Sequence, residues 1–202
     1  MSDLLANVSR ETIERLRAFE ALATKWTAKI NLVSSDSASS IWDRHVLDSV
    51  QIYNAAPQGW SSWVDLGSGG GFPGVVIAVM VHGEDRGADV TMIESDARKC
   101  EFLRAALRET GVTATVVNKR IEAVPSIGAD VVSARALADL SSLLGYAAHH
   151  LSPTGTAILP KGARWRDEVE AARSKWKFNL ETVNSSLAAE AAILKIKGVS
   201  RV

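Results

Sequence analysis

Apolar residues Ile13, Leu16, Phe19, Leu22, Trp26 and Ile30 recur every three or four positions between Ser9 and Val33, the spacing of one face of an amphipathic helix. The serine-rich break Ser34-Ser35-Asp36-Ser37 ends that helix. Ile41, Trp42, Val46, Leu47 and Val50 predict more helix before a loop at Pro57-Gln58-Gly59. After Trp60 the pattern changes to short β-branched runs alternating with helical stretches. Strands are expected at Trp63 to Leu66, Asp89 to Ile93, Thr113 to Val117, Asp130 to Ser133 and Thr156 to Leu159, with two more near Phe178 to Val183 and Ala191 to Lys197. Helices are expected between them at about Val75 to Val81, Ala97 to Thr110, Leu137 to His150 and Ala163 to Ser174.

Alternating strands and helices predict an α/β fold, a doubly wound and mostly parallel seven-stranded sheet of Rossmann-like type. Residues 1–59 form an N-terminal helical extension to a sheet domain at 60–202, the two packed as one unit. No convincing helix separates the last two strands, so they are expected as an antiparallel hairpin at one edge. In such sheets ligands sit beyond the carboxyl ends of the strands where strand order reverses. The predicted strand ends carry Asp65 with a glycine loop, then Glu94, Arg120-Ile121-Glu122 and Ser133-Ala134-Arg135.

Composition narrows the class. The chain has 202 residues, 47% apolar, with zero net charge, which fits a soluble globular domain and argues against tight, sequence-indifferent binding of naked nucleic acid. An RNA partner would need local patches. The stretch from Lys161 to Lys177 has six cations against three acids, and Lys195, Lys197 and Arg201 form a second cluster; either can also be a plain solvated surface. Cys100 is the sole cysteine and no His or Cys cluster suggests a metal site. No apolar run reaches membrane-span length. The start, Met1-Ser2-Asp3-Leu4-Leu5, lacks a secretory pattern, so a cytoplasmic monomer is expected.

The densest chemical signal is Val64-Asp65-Leu66-Gly67-Ser68-Gly69-Gly70-Gly71-Phe72-Pro73-Gly74. Glycines let backbone approach a ligand closely and tolerate positive φ. Counted from Gly69, the glycines match a dinucleotide fingerprint with Glu94 at the expected remove, but Asp65, Gly67 and Ser68 then sit where that fingerprint wants an apolar strand. Counted from Asp65, the pattern is acid-x-Gly-x-Gly-x-Gly, which suits S-adenosylmethionine. In that reading Asp65 answers the cofactor's positive amino group and sulfonium, Glu94 accepts from both ribose hydroxyls, and Ile93 and Ile121 cover the adenine. A nicotinamide-dependent oxidoreductase stays open as the alternative.

Read with Arg44-His45-Val46-Leu47-Asp48-Ser49 upstream and with Arg120-Ile121-Glu122, Ser133-Ala134-Arg135-Ala136 and Leu159-Pro160-Lys161-Gly162 downstream, the glycine loop resembles the RsmG (GidB) family from about residue 20 to 165. The resemblance implies methyl transfer from S-adenosylmethionine to N7 of a guanine in small-subunit ribosomal RNA, free or in a ribosomal particle. It implies cofactor binding at Gly67, Phe72, Ile121, Glu122 and Arg135, alongside Asp65, Gly69, Gly71 and Glu94 of the loop reading. Arg135 suits the methionine carboxylate or an RNA phosphate. Substrate contacts are expected at Arg44, His45, Lys161 and Arg164, with Lys161 meeting a phosphate. Guanine N7 has a lone pair and no proton, so no general base is expected and alignment supplies the rate enhancement. Other readings are a methyltransferase of the same fold acting on a small molecule or protein, or a non-catalytic RNA-binding protein. The last 35 residues match no motif.

Overall fold

The computed structural model describes residues 4–33 and 40–202. The serine-rich break at 34–37 lies outside the described residues. Seven strands form one sheet in the order β3-β2-β1-β4-β5-β7-β6. They are β1 Ser62–Leu66, β2 Asp89–Glu94, β3 Thr115–Asn118, β4 Ala129–Ala134, β5 Leu151–Lys161, β6 Trp176–Asn184 and β7 Ala192–Arg201. The first five pair in parallel, and β7 runs antiparallel to both β5 and β6, so the final hairpin closes one edge as expected. Strand order reverses between β1 and β4, which locates the switch point at Leu66 and Ala134.

The helices are α1 Arg10–Thr27, α2 Leu47–Asn54, α3 Gly74–Gly83, α4 Ala97–Thr110, α5 Leu140–His150 and α6 Trp165–Arg173. A π-helical turn, Trp42–Val46, leads directly into α2. The period of two along β1 divides the core. Trp63 faces a cluster built with α1 to α4, including Leu16, Phe19, Val50, Val76 and Phe102. Val64 and Leu66 face the opposite cluster, with Leu140, Leu144, Val169 and Ala172 of α5 and α6. The N-terminal extension therefore contributes to the same apolar core as the sheet's first helical layer.

Two boundaries differ from the periodicity for identifiable reasons. Helix α1 stops at Thr27, although apolar positions continue to Val33. Ile30, Leu32 and Val33 still pack on the core, but as an irregular segment laid along the glycine loop. A Cβ at Gly70 would lie 3.0 Å from the Leu32 carbonyl oxygen, so the bare glycine is what admits this backbone. Helix α5 begins at Leu140, not Leu137, because the Asp139 carboxylate accepts from Ser142 N at 3.1 Å and caps the first turn. Residues 135–139 are thereby left as a loop at the switch point.

Candidate active site

The glycine loop is stitched to the end of β2. Gly67 N and Ser68 N both donate to the Ile93 carbonyl, at 2.8 and 3.2 Å. Gly69 N donates to Glu94 Oε2 at 2.9 Å, and Asp96 N donates to Glu94 Oε1 at 2.8 Å. Each Glu94 oxygen thus retains a second lone pair for a ligand hydroxyl. Asn118, at the end of β3, donates to the carbonyls of Glu94 and Ser95, both at 3.1 Å, and fixes the adjacent wall. Gly67, Gly69 and Gly71 all have positive φ. A Cβ at Gly67 would come 2.7 Å from Leu137 Cδ1, so the loop after β4 lies directly over the first glycine.

Asp65 occupies a different position from the one its place in the motif suggested. Strand alternation puts it on the Trp63 face, beneath the start of α3, with no accessible surface. Oδ1 accepts from Ser133 Oγ at 2.7 Å and Oδ2 accepts from Gly74 N at 3.2 Å. Trp63 Nε1 donates to the same Ser133 oxygen at 2.8 Å. Burial pushes the carboxyl up to about 6, opposed by those hydrogen bonds and by the charge of Arg135. The carboxylate therefore ties β1, β4 and the α3 N-terminus together and presents no oxygen to a ligand.

Phe72 is also interior, 4.9 Å from Phe19 and 5.1 Å from His45 between ring centroids. Above it lies Arg135, whose guanidinium carbon stands 5.7 Å from the Phe72 ring centre. Arg135 Nη1 donates to Asp48 Oδ2 and to the Arg44 carbonyl, each at 3.3 Å, and Nη2 meets His45 Nδ1 at 2.6 Å. A guanidinium can only donate, so His45 Nδ1 is the acceptor and the ring proton resides on Nε2. Burial first, then Arg135 and Arg44, lowers the His45 pKa to about 4. His45 is consequently neutral at physiological pH. The π-helical turn is what brings His45 and the Arg44 carbonyl to one guanidinium.

Beside this cluster opens a cavity of about 930 Å³, lined by Arg44, His45, Asp48, Arg135, Lys161 and the β6–β7 loop from Ser185 to Ala188. Lys161 lines it without facing a free phosphate position. Its side chain is 10% exposed, and Nζ donates to Glu168 Oε2 at 2.8 Å and to the Ala138 carbonyl at 3.0 Å. Glu168 Oε2 also accepts from Leu140 N at 2.9 Å. The lysine expected to meet RNA is thus a clamp on the loop that carries Arg135 and Leu137. Arg164 is exposed near this mouth but does not line the cavity. Ile121 and Glu122 fall elsewhere, in a groove of about 490 Å³ along α5. There Glu122 Oε1 accepts from Tyr146 Oη at 2.9 Å, and His150 Nε2 lies 3.2 Å from the Ile121 carbonyl.

Five participants escaped sequence reasoning: Asp48, Asn118, Gln51 and its partners Ser185 and Ser186. Asp48 lies in the Arg44-to-Ser49 segment one helical turn after Arg44, and that spacing is the local signal for it. Nothing local flags Gln51, whose partners Ser185 and Ser186 lie 134 and 135 positions away.

Among the described residues, no cluster of His, Cys, Asp or Glu is arranged to hold a metal, and no helix is long and apolar enough to cross a membrane. The model of the family described as GidB, rRNA small subunit methyltransferase G, matches residues 12–195, well beyond the motif-bearing segment. A relative from Ruegeria sp. (strain TM1040), named ribosomal RNA small subunit methyltransferase G, is 52% identical, covering 99% of this chain and 97% of its own. A protein of the same name from Paramagnetospirillum magneticum is 48% identical, with 97% and 93% covered. Among solved structures, a TehB-like S-adenosylmethionine-dependent methyltransferase from Corynebacterium glutamicum superposes with TM-score 0.59 at 18% identity, covering 88% of this chain and 98% of that one. A methyltransferase from Aquifex aeolicus gives TM-score 0.60 at 11% identity, with 79% and 93% covered. These last two bear on the fold alone, and that fold is Rossmann-like.

Proposed function

The chain belongs to the rRNA small subunit methyltransferase G family, and from that premise we propose that it transfers a methyl group from S-adenosylmethionine to N7 of a guanine in small-subunit ribosomal RNA. The observation that carries the reading is the juxtaposition at the switch point. A glycine loop stitched to Glu94 stands on one side of the 135–139 loop, and a cavity lined by Arg44, His45 and Arg135 on the other.

The residues present fit the cofactor. The positive-φ glycines expose backbone along the switch point, and Glu94 keeps acceptor capacity for a ribose diol. Asp65 contributes by holding the loop and α3 in register. When bound, the cofactor supplies an electrophilic methyl group on a sulfonium. On the acceptor side this chain's residues hold the base and move no proton, since N7 has none to lose. Arg135, pinned by Asp48 and His45, is a fixed wall between the two sites. Arg44 at the cavity and exposed Arg164 beside its mouth offer charge for the RNA backbone. The dinucleotide reading lacks support in the family match. A cytoplasmic setting follows from the proposed substrate.

The test is methyl transfer from labelled S-adenosylmethionine to undermodified small-subunit RNA, naked and assembled. Incorporation that maps by N7-specific strand scission to a guanine is expected. Label in an exocyclic amine or a ribose, or none in either substrate, overturns the assignment.

A further inference from the structure

The segment without a recognisable motif, beyond about residue 168, lines the cavity with its β6–β7 loop and is tied to Asp48 by one buried side chain of the N-terminal extension. Gln51, on α2, is 6% exposed. Its Nε2 donates to Asp48 Oδ1 at 2.8 Å and to Ser185 Oγ at 3.2 Å. Its Oε1 accepts from Ser186 N at 3.1 Å and from Ser186 Oγ at 3.2 Å. Both amide protons and both lone pairs are therefore used, so the group is saturated. Ser185 Oγ in turn accepts from Leu187 N at 3.2 Å and Ala188 N at 3.3 Å, which sets the bend of the β6–β7 loop. Asp48 passes the connection on through Oδ2 to Arg135.

One amide thus joins the N-terminal extension to the β6–β7 loop and, through Asp48, relates the 185–188 wall to Arg135. Packing alone does not call for this. A leucine would fill the volume without the cost of burying an amide, whereas a fully satisfied polar network selects one geometry. The wall it fixes is built from two serines, a leucine and an alanine, small and partly apolar, and lines the same cavity as the Arg135 guanidinium and the His45 imidazole. That combination suits the flat face and polar edge of a nucleobase. We infer that Gln51 is a positioning residue for the acceptor base, setting the spacing between the Ser185–Ala188 wall and Arg135. The inference rests on the proposed reaction, but only on its acceptor side.

The experiment compares wild type with Gln51→Met, Gln51→Glu and the Ser185→Ala/Ser186→Ala pair. It measures S-adenosylhomocysteine affinity by calorimetry and KM and kcat on undermodified small subunits. For Gln51→Met the KM for RNA should rise about tenfold, the scale of losing one buried polar partner, with cofactor affinity held within about twofold. Gln51→Glu should be at least as impaired, since it places a second carboxylate against Asp48. The serine pair, with Ser186 exposed, should shift KM the same way and carries the test if Gln51→Met does not fold. A merely structural role lowers Tm and active fraction but leaves KM unchanged. That result, or loss of cofactor affinity in parallel with KM, overturns the inference. A wild type that binds S-adenosylhomocysteine yet methylates no RNA refutes the proposed function instead, and with it the acceptor role.

Discussion

Replacing Asp65 with Asn should remove a pH-dependent cost from the folded state. The carboxyl has no accessible surface, and burial raises its pKa from 3.8 to about 6. A folded pKa above the unfolded value means the folded state holds its proton longer. Asp65 therefore burdens stability least below about pH 4 and most above about pH 6. The full difference is on the order of 3 kcal/mol, of which about 2 kcal/mol accrues between about pH 4.5 and 7.5. Asn can fit the site with its oxygen toward Gly74 N and its amide toward Ser133 Oγ, which has a lone pair to spare beside Trp63 Nε1. Urea unfolding of both proteins at the two pH values isolates this group, because the other titrations cancel in the difference. Relative to wild type, the variant should gain about 2 kcal/mol between the lower and the higher pH. A difference that does not change with pH would refute the raised pKa and, with it, the reading of Asp65 as an interior tie.

Three further outcomes follow from the geometry. Gly67→Ala combines a φ of +64° with a Cβ 2.7 Å from Leu137 Cδ1, and should weaken S-adenosylhomocysteine binding measured by calorimetry; adding Leu137→Ala should recover the steric part but not the backbone strain, roughly 1 kcal/mol. Lys161→Met should lower Tm and loosen the 135–139 loop, while the slope of log KM against log salt stays that of wild type; a slope reduced by about 1 would restore Lys161 as a phosphate ligand. His45 should titrate in an NMR experiment near 4, with its contribution to stability lost as pH falls from about 6.5 towards 4, and the methyl-transfer profile should show no limb from it at neutral pH; a ring resonance titrating near 6.5 would contradict the Arg135 contact.

What the sequence made legible was local. The succession of strands and helices depends on short-range patterns, period two against period three or four, and these predicted the sheet and its final edge hairpin. Asp65 was misplaced by motif position although the needed signal was present. Trp63 is a core residue, so a residue two further along the same strand points the same way. Lys161 could not be read so. Its partners Ala138 and Glu168 lie 23 and 7 positions away on other elements, and a basic residue at a strand end looks the same whether clamped or free. The last strands were foreseen as strands, but their loop's contact with Gln51 was not, because no periodicity reports a contact across 135 positions.

The arrangement around His45 also bears on the reaction proposed for this cavity. Methyl transfer to N7 moves a positive charge from the sulfonium onto the acceptor guanine. An imidazolium about 4 Å from that charge would oppose the product by roughly 4 kcal/mol at an effective dielectric near 20. Burial first, and then the charges of Arg135 and Arg44, keep His45 from taking that form. Arg135 is tolerable there because Asp48 lies at 3.3 Å to offset it. Asp48 is in turn oriented by Gln51. A carboxylate and a buried amide thus hold the guanidinium that donates to this ring. The π-helical turn that carries Arg44 and His45 gives the N-terminal extension a direct part in the chemistry proposed for the sheet's switch point.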